Sequence, residues 1–272
     1  MRVIVTRPEH DASEWVLGLG KAGFEVAQLP LIEICPVADP TALHQAWQRL
    51  ESYCAVMFVS GNAVIHFFRS KPGMAHKSIE LCATKIRAWA TGPGTTRALL
   101  GAGVDASRID TPPVQTGQFD SEALWAVVGP AVKPGQRVLI VRGAEGGAQT
   151  VRAQSDTEGA AGAGRDWLAT QLAQRGALVD YVVAYQRCIP VLGQAQRSLV
   201  QMAAVDESVW LLSSSEAVAN LSAMMPGQSW KTARAVATHP RIAQRARSLG
   251  FGVVCESRPI LSSVVASIES MG

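Results

Sequence analysis

No apolar run in this 272-residue chain comes near the roughly 18 to 20 residues needed to cross a bilayer; Ala55 to Val59 is typical of the longest. Nothing in the sequence therefore reads as a membrane span. Charged residues make up only 17% of the chain, against a usual share of about 25%, while 48% is hydrophobic, so sizeable cores are expected and disorder throughout is excluded. The 25 basic and 22 acidic residues leave a net charge of +3, with no block of five like charges, and a nucleic-acid surface is unsupported. Five cysteines, at positions 35, 54, 82, 188 and 255, include no close pair. That removes a CxxC redox site and a compact zinc site, and an odd, scattered set reads as reduced thiols in the cytoplasm. The opening MRVIVTRPEHD brings in charge before an apolar signal region forms, and reads as a first strand.

Cofactor signatures are missing as well. GPGTT at Gly92 to Thr96 is glycine-rich but has neither the spacing nor the lysine of a Walker loop, and no GxGxxG follows the first strand. Strand ends carry too few aspartates for a phosphoacceptor or a Mg²⁺ site. The histidines His10, His44, His66, His76 and His239 have no partner at metal-ligand spacing, and no GxSxG elbow marks a covalent nucleophile. The expectation is a protein without cofactor or metal.

What is present is alternation. At roughly 150 residues per domain the length suggests two modest domains. Short β-branched runs alternate with helical stretches, the pattern of parallel sheets covered by helices, so the fold class is α/β. About ten strands are expected, near Val3 to Thr6, Glu25 to Leu29, Ala55 to Val59, Ile86 to Ala90, Arg108 to Asp110, Arg137 to Val141, Leu178 to Val183, Val209 to Leu212, Ala233 to Ala237 and Gly252 to Glu256. Gly23, Gly103, Gly176 and Gly250 stand where helices should end. Gly146 to Gly164 is of low complexity and reads as a flexible loop. Proline-bearing stretches at Pro30 to Pro40 and Gln186 to Pro190 are candidate crossings between domains.

Three echoes suggest related halves. VIVTRP at Val3 to Pro8 is like VLIVRG at Val138 to Gly143, and VSGNAV at Val59 to Val64 is like SSSEAV at Ser213 to Val218. AWATGPGTTRALLGAG at Ala88 to Gly103 is like AVATHPRIAQRARSLG at Ala235 to Gly250. Convergent strand-to-helix turn chemistry would also produce such echoes. Their order, with one partner at the chain's start and the other mid-chain, points to interleaved halves.

Polar residues gather where strands end and helices begin: Thr6 and Arg7, Ser60 and Asn62, Thr91 with Thr95 and Thr96, Arg142, Ser213 to Ser215, and Thr238. In open α/β sheets that is the ligand edge, where helix N-termini offer N–H groups to carboxylates or phosphates. Any single one of these Ser, Thr and Asn residues reads first as a helix cap, and it is the ensemble that points to a ligand. Arg7 and Arg142 end equivalent strands and can pair with substrate carboxylates or with a neighbouring acid. His239, after a strand and before Pro240, either faces the ligand edge or is structural. Tyr185, one of three tyrosines, stands by the return crossing. An ordinary tyrosine hydroxyl keeps its proton at neutral pH and can protonate a leaving hydroxyl, or the ring can simply staple the junction.

Taken together these residues resemble the bacterial uroporphyrinogen-III synthase family over essentially the whole chain. The likeness rests on VTRP at Val5 to Pro8, LPLIEI at Leu29 to Ile34, FVSGNAV at Phe58 to Val64, ATGPGTTRAL at Ala90 to Leu99, SEALW at Ser121 to Trp125 and VRGAEGG at Val141 to Gly147. YQRCIP at Tyr185 to Pro190, SSSEAV at Ser213 to Val218 and ATHPRIAQRARSLGF at Ala237 to Phe251 complete it. One departure is plain, since about seventeen residues, Ala148 to Gly164, stand between the VRG region and the Arg165 to Leu168 helix start that follows it directly in the family. The resemblance implies two flavodoxin-like parallel-sheet domains joined by two strands, one from residues 1–35 and 187–272 and the other from 36–186.

It also implies an enzyme that cyclises hydroxymethylbilane, a linear tetrapyrrole with eight carboxylates, to uroporphyrinogen III. Water is lost, ring D is inverted, and no cofactor takes part. Carried onto this chain, the implied substrate contacts are Ser60, Asn62, Thr95, Arg142 and Ser215, with Tyr185 as proton donor; Arg7 and His239 join them from the reading of the strand ends. The implied partners are the small-molecule substrate and, transiently, the enzyme of the preceding step, with the chain itself a cytoplasmic monomer. The alternative of another class is a non-catalytic two-domain protein or sensor that closes on an anionic small molecule.

Overall fold

The computed structural model describes residues 1–71, 86–113, 119–144 and 163–271. Cys82, His76, the Glu145 to Gly147 end of the VRGAEGG motif and nearly all of the expected 146–164 loop lie outside those residues. Two compact units emerge, Met1–Ile34 with Cys188–Gly272, and Cys35–Arg187.

The first unit is a five-stranded parallel sheet. Its strands are β1 (Arg2–Val5), β2 (Glu25–Gln28), β9 (Val209–Leu212), β10 (Arg234–Ala237) and β11 (Val253–Glu256), in the spatial order β11-β10-β9-β1-β2. Its helices are α1 (Glu9–Lys21), α7 (Gln194–Ala203), α8 (Ser215–Met224), α9 (Pro240–Leu249) and α10 (Leu261–Glu269). VWLL in β9 is buried at every position, as parallel strands covered on both faces require. Alternate residues feed separate cores: Ile4, Trp210 and Leu212 pack on one side of the sheet, Val3, Val5 and Leu211 on the other. Trp210 has no exposed surface, and its indole N–H donates to the Ala203 carbonyl at 2.9 Å, so its burial leaves no polar group unpaired.

The second unit holds β4 (Ala55–Phe58), β5 (Arg87–Ala90), β6 (Ile109–Asp110), β7 (Arg137–Gly143) and β8 (Leu178–Cys188), parallel in the order β8-β7-β4-β5-β6. A further strand, β3 (Glu33–Pro36), hydrogen-bonds to β8 at the edge. The helices described are α2 (Thr41–Gln48), α3 (Gly61–Arg69), α4 (Pro93–Gly101), α5 (Ser121–Val128) and α6 (Ala163–Gln174). The last begins one residue before the expected loop was to end.

Two expectations change here. β3 lies in Pro30 to Pro40, which reads in sequence only as a crossing; its four residues end in a proline, which an edge strand tolerates because one row of its backbone groups is unpaired. β8 extends five residues beyond the expected Val183, so Tyr185 is in a strand.

The echoes fall on matching sheet positions. Val3 pairs with Val209 as Val138 pairs with Ala55, and Leu212 pairs with Ala237 as Phe58 pairs with Ala90. Hence β1, β2, β9, β10 and β11 correspond to β7, β8, β4, β5 and β6 in the same spatial order, although the chain visits them in a permuted sequence. The helices obey the same correspondence, with Gly103 after α4 and Gly250 after α9 both at positive φ, 85° and 102°.

Candidate functional site

The chemistry-bearing residues occupy the carboxyl ends of the strands because the turns there are made of helix caps. Ser60 caps α3, its Oγ accepting from the Ala63 N–H at 3.2 Å. Its counterpart Ser214 caps α8 and accepts from the N–H groups of Glu216 and Ala217. Asp120 caps α5, with Oδ1 accepting from Ala123 at 2.8 Å. His239 caps α9 by accepting the Arg241 N–H at Nδ1, 3.1 Å away. Each satisfies an otherwise orphaned helix N–H.

Tyr185 is the centre of the second unit's edge. Its side chain is buried, 4% exposed, and its hydroxyl lies 3.2 Å from Ser60 Oγ. Tyr185 lies within β8 and Ser60 follows β4, strands that are not neighbours because β7 runs between them. The ring bridges that gap by lying over Gly143 of β7, where a Cβ would come within 2.6 Å of Tyr185 Cε2 and 2.9 Å of its oxygen. A bulge aims it. Arg142 pairs with Val183 but Gly143 pairs with Tyr185, so Ala184 is an extra residue that inverts the alternation. The Tyr185 carbonyl then accepts the Ala144 N–H at 2.7 Å, which fixes the strand beyond the bulge.

Either hydroxyl can donate in the Tyr185–Ser60 bond. Since Ser60 Oγ already accepts from Ala63, its own proton is free to go to Tyr185, and the phenol proton is then available to a bound molecule. The His66 ring, tilted 37° and 5.8 Å away, forms an adjacent wall. Burial, and then the positive charge of Arg69, push the His66 pKa down, so this imidazole is neutral at pH 7. A pocket of about 350 Å³ opens in front, lined by Ser60, Thr91, Phe119, Asp120, Tyr185 and Arg187 among others.

Other candidates sit differently. Asn62 and Thr95 are buried, 9% and 5% exposed, on α3 and α4. Arg142 lies over the Tyr181 ring with its guanidinium carbon 5.0 Å from the centroid, and Arg7 over Trp15 at 4.8 Å. Each is thus held by an aromatic face, the equivalent solution at equivalent positions. Arg7 is half-buried, its Nε has no hydrogen-bond partner, and desolvation lowers its pKa against the opposing charge of Asp11. Ser215 is in the first turn of α8, one residue past the cap. His239 is exposed, with Nδ1 committed to the cap. Phe119, Asp120 and Arg187 were not singled out from sequence, although Asp-Ser-Glu-Ala at 120–123 is a helix-start signal and Arg187 lies inside a quoted motif. Among the described residues no cluster of three His, Cys, Asp or Glu side chains is placed to hold a metal.

The family model described as "Uroporphyrinogen-III synthase HemD" matches residues 13–266. The chain belongs to the uroporphyrinogen-III synthase HemD family. It is 32% identical over 143 residues to a protein of Chlorobaculum parvum named uroporphyrinogen-III synthase, and 27% identical over 139 residues to the porphyrin biosynthesis protein HemD of Ruminiclostridium josui. Those matches span 52% and 26% of the relatives' lengths, and about half of this chain. The crystal structure of uroporphyrinogen-III synthetase from Helicobacter pylori superposes over the whole of both chains with a TM-score of 0.58 at 15% identity, which establishes the shared fold of this family. No described helix is long and apolar enough to cross a membrane.

Proposed function

We propose that this chain carries out the reaction for which its family is named, closing hydroxymethylbilane to uroporphyrinogen III. The observation that supports it best is the buried Tyr185 hydroxyl, bonded to Ser60 and lining a pocket at the carboxyl edge. In this reading Tyr185 gives its proton to the hydroxyl leaving ring A. The C–O bond breaks, water departs, and the pyrrole nitrogen's electron pair completes an azafulvene. Ser60 Oγ–H holds the phenolate oxygen until a proton returns from the ring system. Ring D then attacks through its substituted α-carbon, and the spiro intermediate opens and recloses with ring D inverted. One water is lost in total, and electrons balance without an oxidant.

Because the open bilane also closes unaided to the uninverted type I isomer, the protein's larger task is to hold one conformer. Positioning of that kind supplies about 7 to 11 kcal/mol in favourable cases, which fits an edge of caps and one phenol rather than a strong acid–base pair. The reading carries with it a cytoplasmic monomer that takes the short-lived bilane from the enzyme making it through a transient contact. The test is incubation of the full chain with fresh hydroxymethylbilane, then oxidation and separation of the isomers. Predominant type III supports the proposal; type I alone, at the rate without protein, overturns it in favour of a non-catalytic binding protein.

A further inference from the structure

Among the positions at which the two units differ in chemistry, three lie together. Gly61, Gly94 and Ala98 of the second unit match Ser215, Arg241 and Arg245 of the first. In the second unit these positions are closed, since a Cβ on Gly61 would sit 3.6 Å from both Ala98 Cβ and the Gly94 carbonyl, so α3 lies directly on α4. In the first unit a pocket of about 490 Å³ opens between α8 and α9, lined by Ser215, Glu216, Arg241, Gln244, Arg245 and Ser248.

The arginines there violate two local rules at once. Arg241 stands in the first turn of α9, where the helix dipole disfavours a cation and where no acidic residue offsets it. Arg241 and Arg245 are four residues apart, which stacks like charges on one helix face at a cost of a few tenths of a kcal/mol. Neither guanidinium has a hydrogen bond or ion pair with a described residue. Arg247 on the same helix, by contrast, binds Glu256 Oε1 at 3.0 Å and the Val254 carbonyl at 3.2 Å. Glu216 supplies one negative charge to the lining, which leaves the pocket net positive. Such conflicts with local preference are expected where a ligand supplies the missing partner.

We propose that Arg241 and Arg245 form a carboxylate-binding site that takes an acidic side chain of the bilane, an identification of ligand that rests on the function proposed above. The planar fork of each guanidinium matches a carboxylate bidentately, and Ser215 at the rim adds a hydroxyl.

The test compares the full-length protein with R241G/R245A, which installs the second unit's residues, and with R241K/R245K, which keeps charge but loses the fork. Turnover of hydroxymethylbilane is measured beside calorimetric binding of uroporphyrin III, an octacarboxylate, and of inorganic phosphate, at low and high salt. The expected result is a KM and a uroporphyrin Kd raised about tenfold in R241G/R245A, with kcat within about twofold, a shallower salt dependence, and R241K/R245K in between. Unchanged KM and Kd in both variants, with the parent converting the bilane, overturns the site and leaves the proposed function standing. Arginine-dependent uroporphyrin binding without conversion supports the carboxylate site while the proposed function falls. Arginine-dependent binding of phosphate but not of uroporphyrin overturns the site as one for the substrate. Should R241G/R245A lose its cooperative melt, R241K/R245K decides alone, and equality with the parent overturns the proposal.

Discussion

Gly143 tests the placement of Tyr185 without touching the phenol itself. In Gly143→Ala the new methyl would stand 2.6 Å from Cε2 and 2.9 Å from the hydroxyl oxygen of a ring that is 4% exposed. Ordinary contact at such a spot needs about 3.4 Å or more, so the ring or the strand must move by roughly 1 Å. A displacement of that size in a positioned group costs on the order of 10²-fold in rate. Overpacking a core by one methyl destabilises by about 1 to 3 kcal/mol. The expectation is therefore a folded protein with a lowered denaturation midpoint, kcat down about 100-fold, and a larger share of type I product. The assay is stopped-flow or quenched turnover of hydroxymethylbilane with isomer analysis, alongside urea unfolding. Adding Tyr185→Leu to Gly143→Ala should recover much of the stability, because the clash is gone, and none of the rate. A Gly143→Ala protein with parental kcat and isomer ratio would show that the ring's seat over β7 has no part in the reaction.

Elsewhere in the second unit, Tyr53 is buried and its hydroxyl donates to Asp180 Oδ2 at 2.9 Å, while Arg137 also reaches that carboxylate at 3.2 Å. Tyr53→Phe should lose about 1 kcal/mol in urea unfolding, since Asp180 keeps Arg137, and should leave turnover unchanged. Burial, then the Asp180 hydrogen bond, push the Tyr53 pKa up to about 12 from 10.0, so its contribution is complete below pH 10.0 and is lost as pH rises through about 12. Absorbance titration should show one phenol ionising late, and Tyr53→Phe should remove that step. His66 has the opposite sign among basic groups: its folded pKa lies below the ordinary value, so its contribution is present above the usual histidine range and is lost as pH falls through the folded value. Urea unfolding between about pH 7 and about pH 5 should show a decline that is smaller in His66→Asn, and equal slopes would remove the assignment.

The strands were legible because both faces of each sheet are covered, which turns segments such as AVMF and VWLL into continuous apolar runs. β3 was not, because two exposed and two half-buried residues beside prolines carry no such run. The bulge at Ala184 was equally invisible: VVAYQRC reads as a plain strand end, and only pairing with β7 shows the alternation slip. Ser60 and Tyr185 could each be picked out by residue type and position. That they meet across Gly143 depends on β7 lying between their strands, a fact of topology over 125 residues of sequence. The echo of VSGNAV with SSSEAV sets Ser60 opposite Ser214, and the structure makes each of the two the cap of its helix. Arg7 and Arg142 looked like carboxylate or ion-pair groups; the rings of Trp15 and Tyr181 that hold them come from a helix and a neighbouring strand.

The most direct test of the account is the rate and isomer ratio of Tyr185→Phe with hydroxymethylbilane, set beside its urea midpoint. Losing one hydrogen bond to Ser60 should cost about 1 kcal/mol of stability, whereas losing the proton donor should lower kcat by about 10² or more and raise the type I fraction as spontaneous closure competes. Parental kcat with undiminished type III from a folded Tyr185→Phe protein would contradict the claim that this phenol carries the proton transfer.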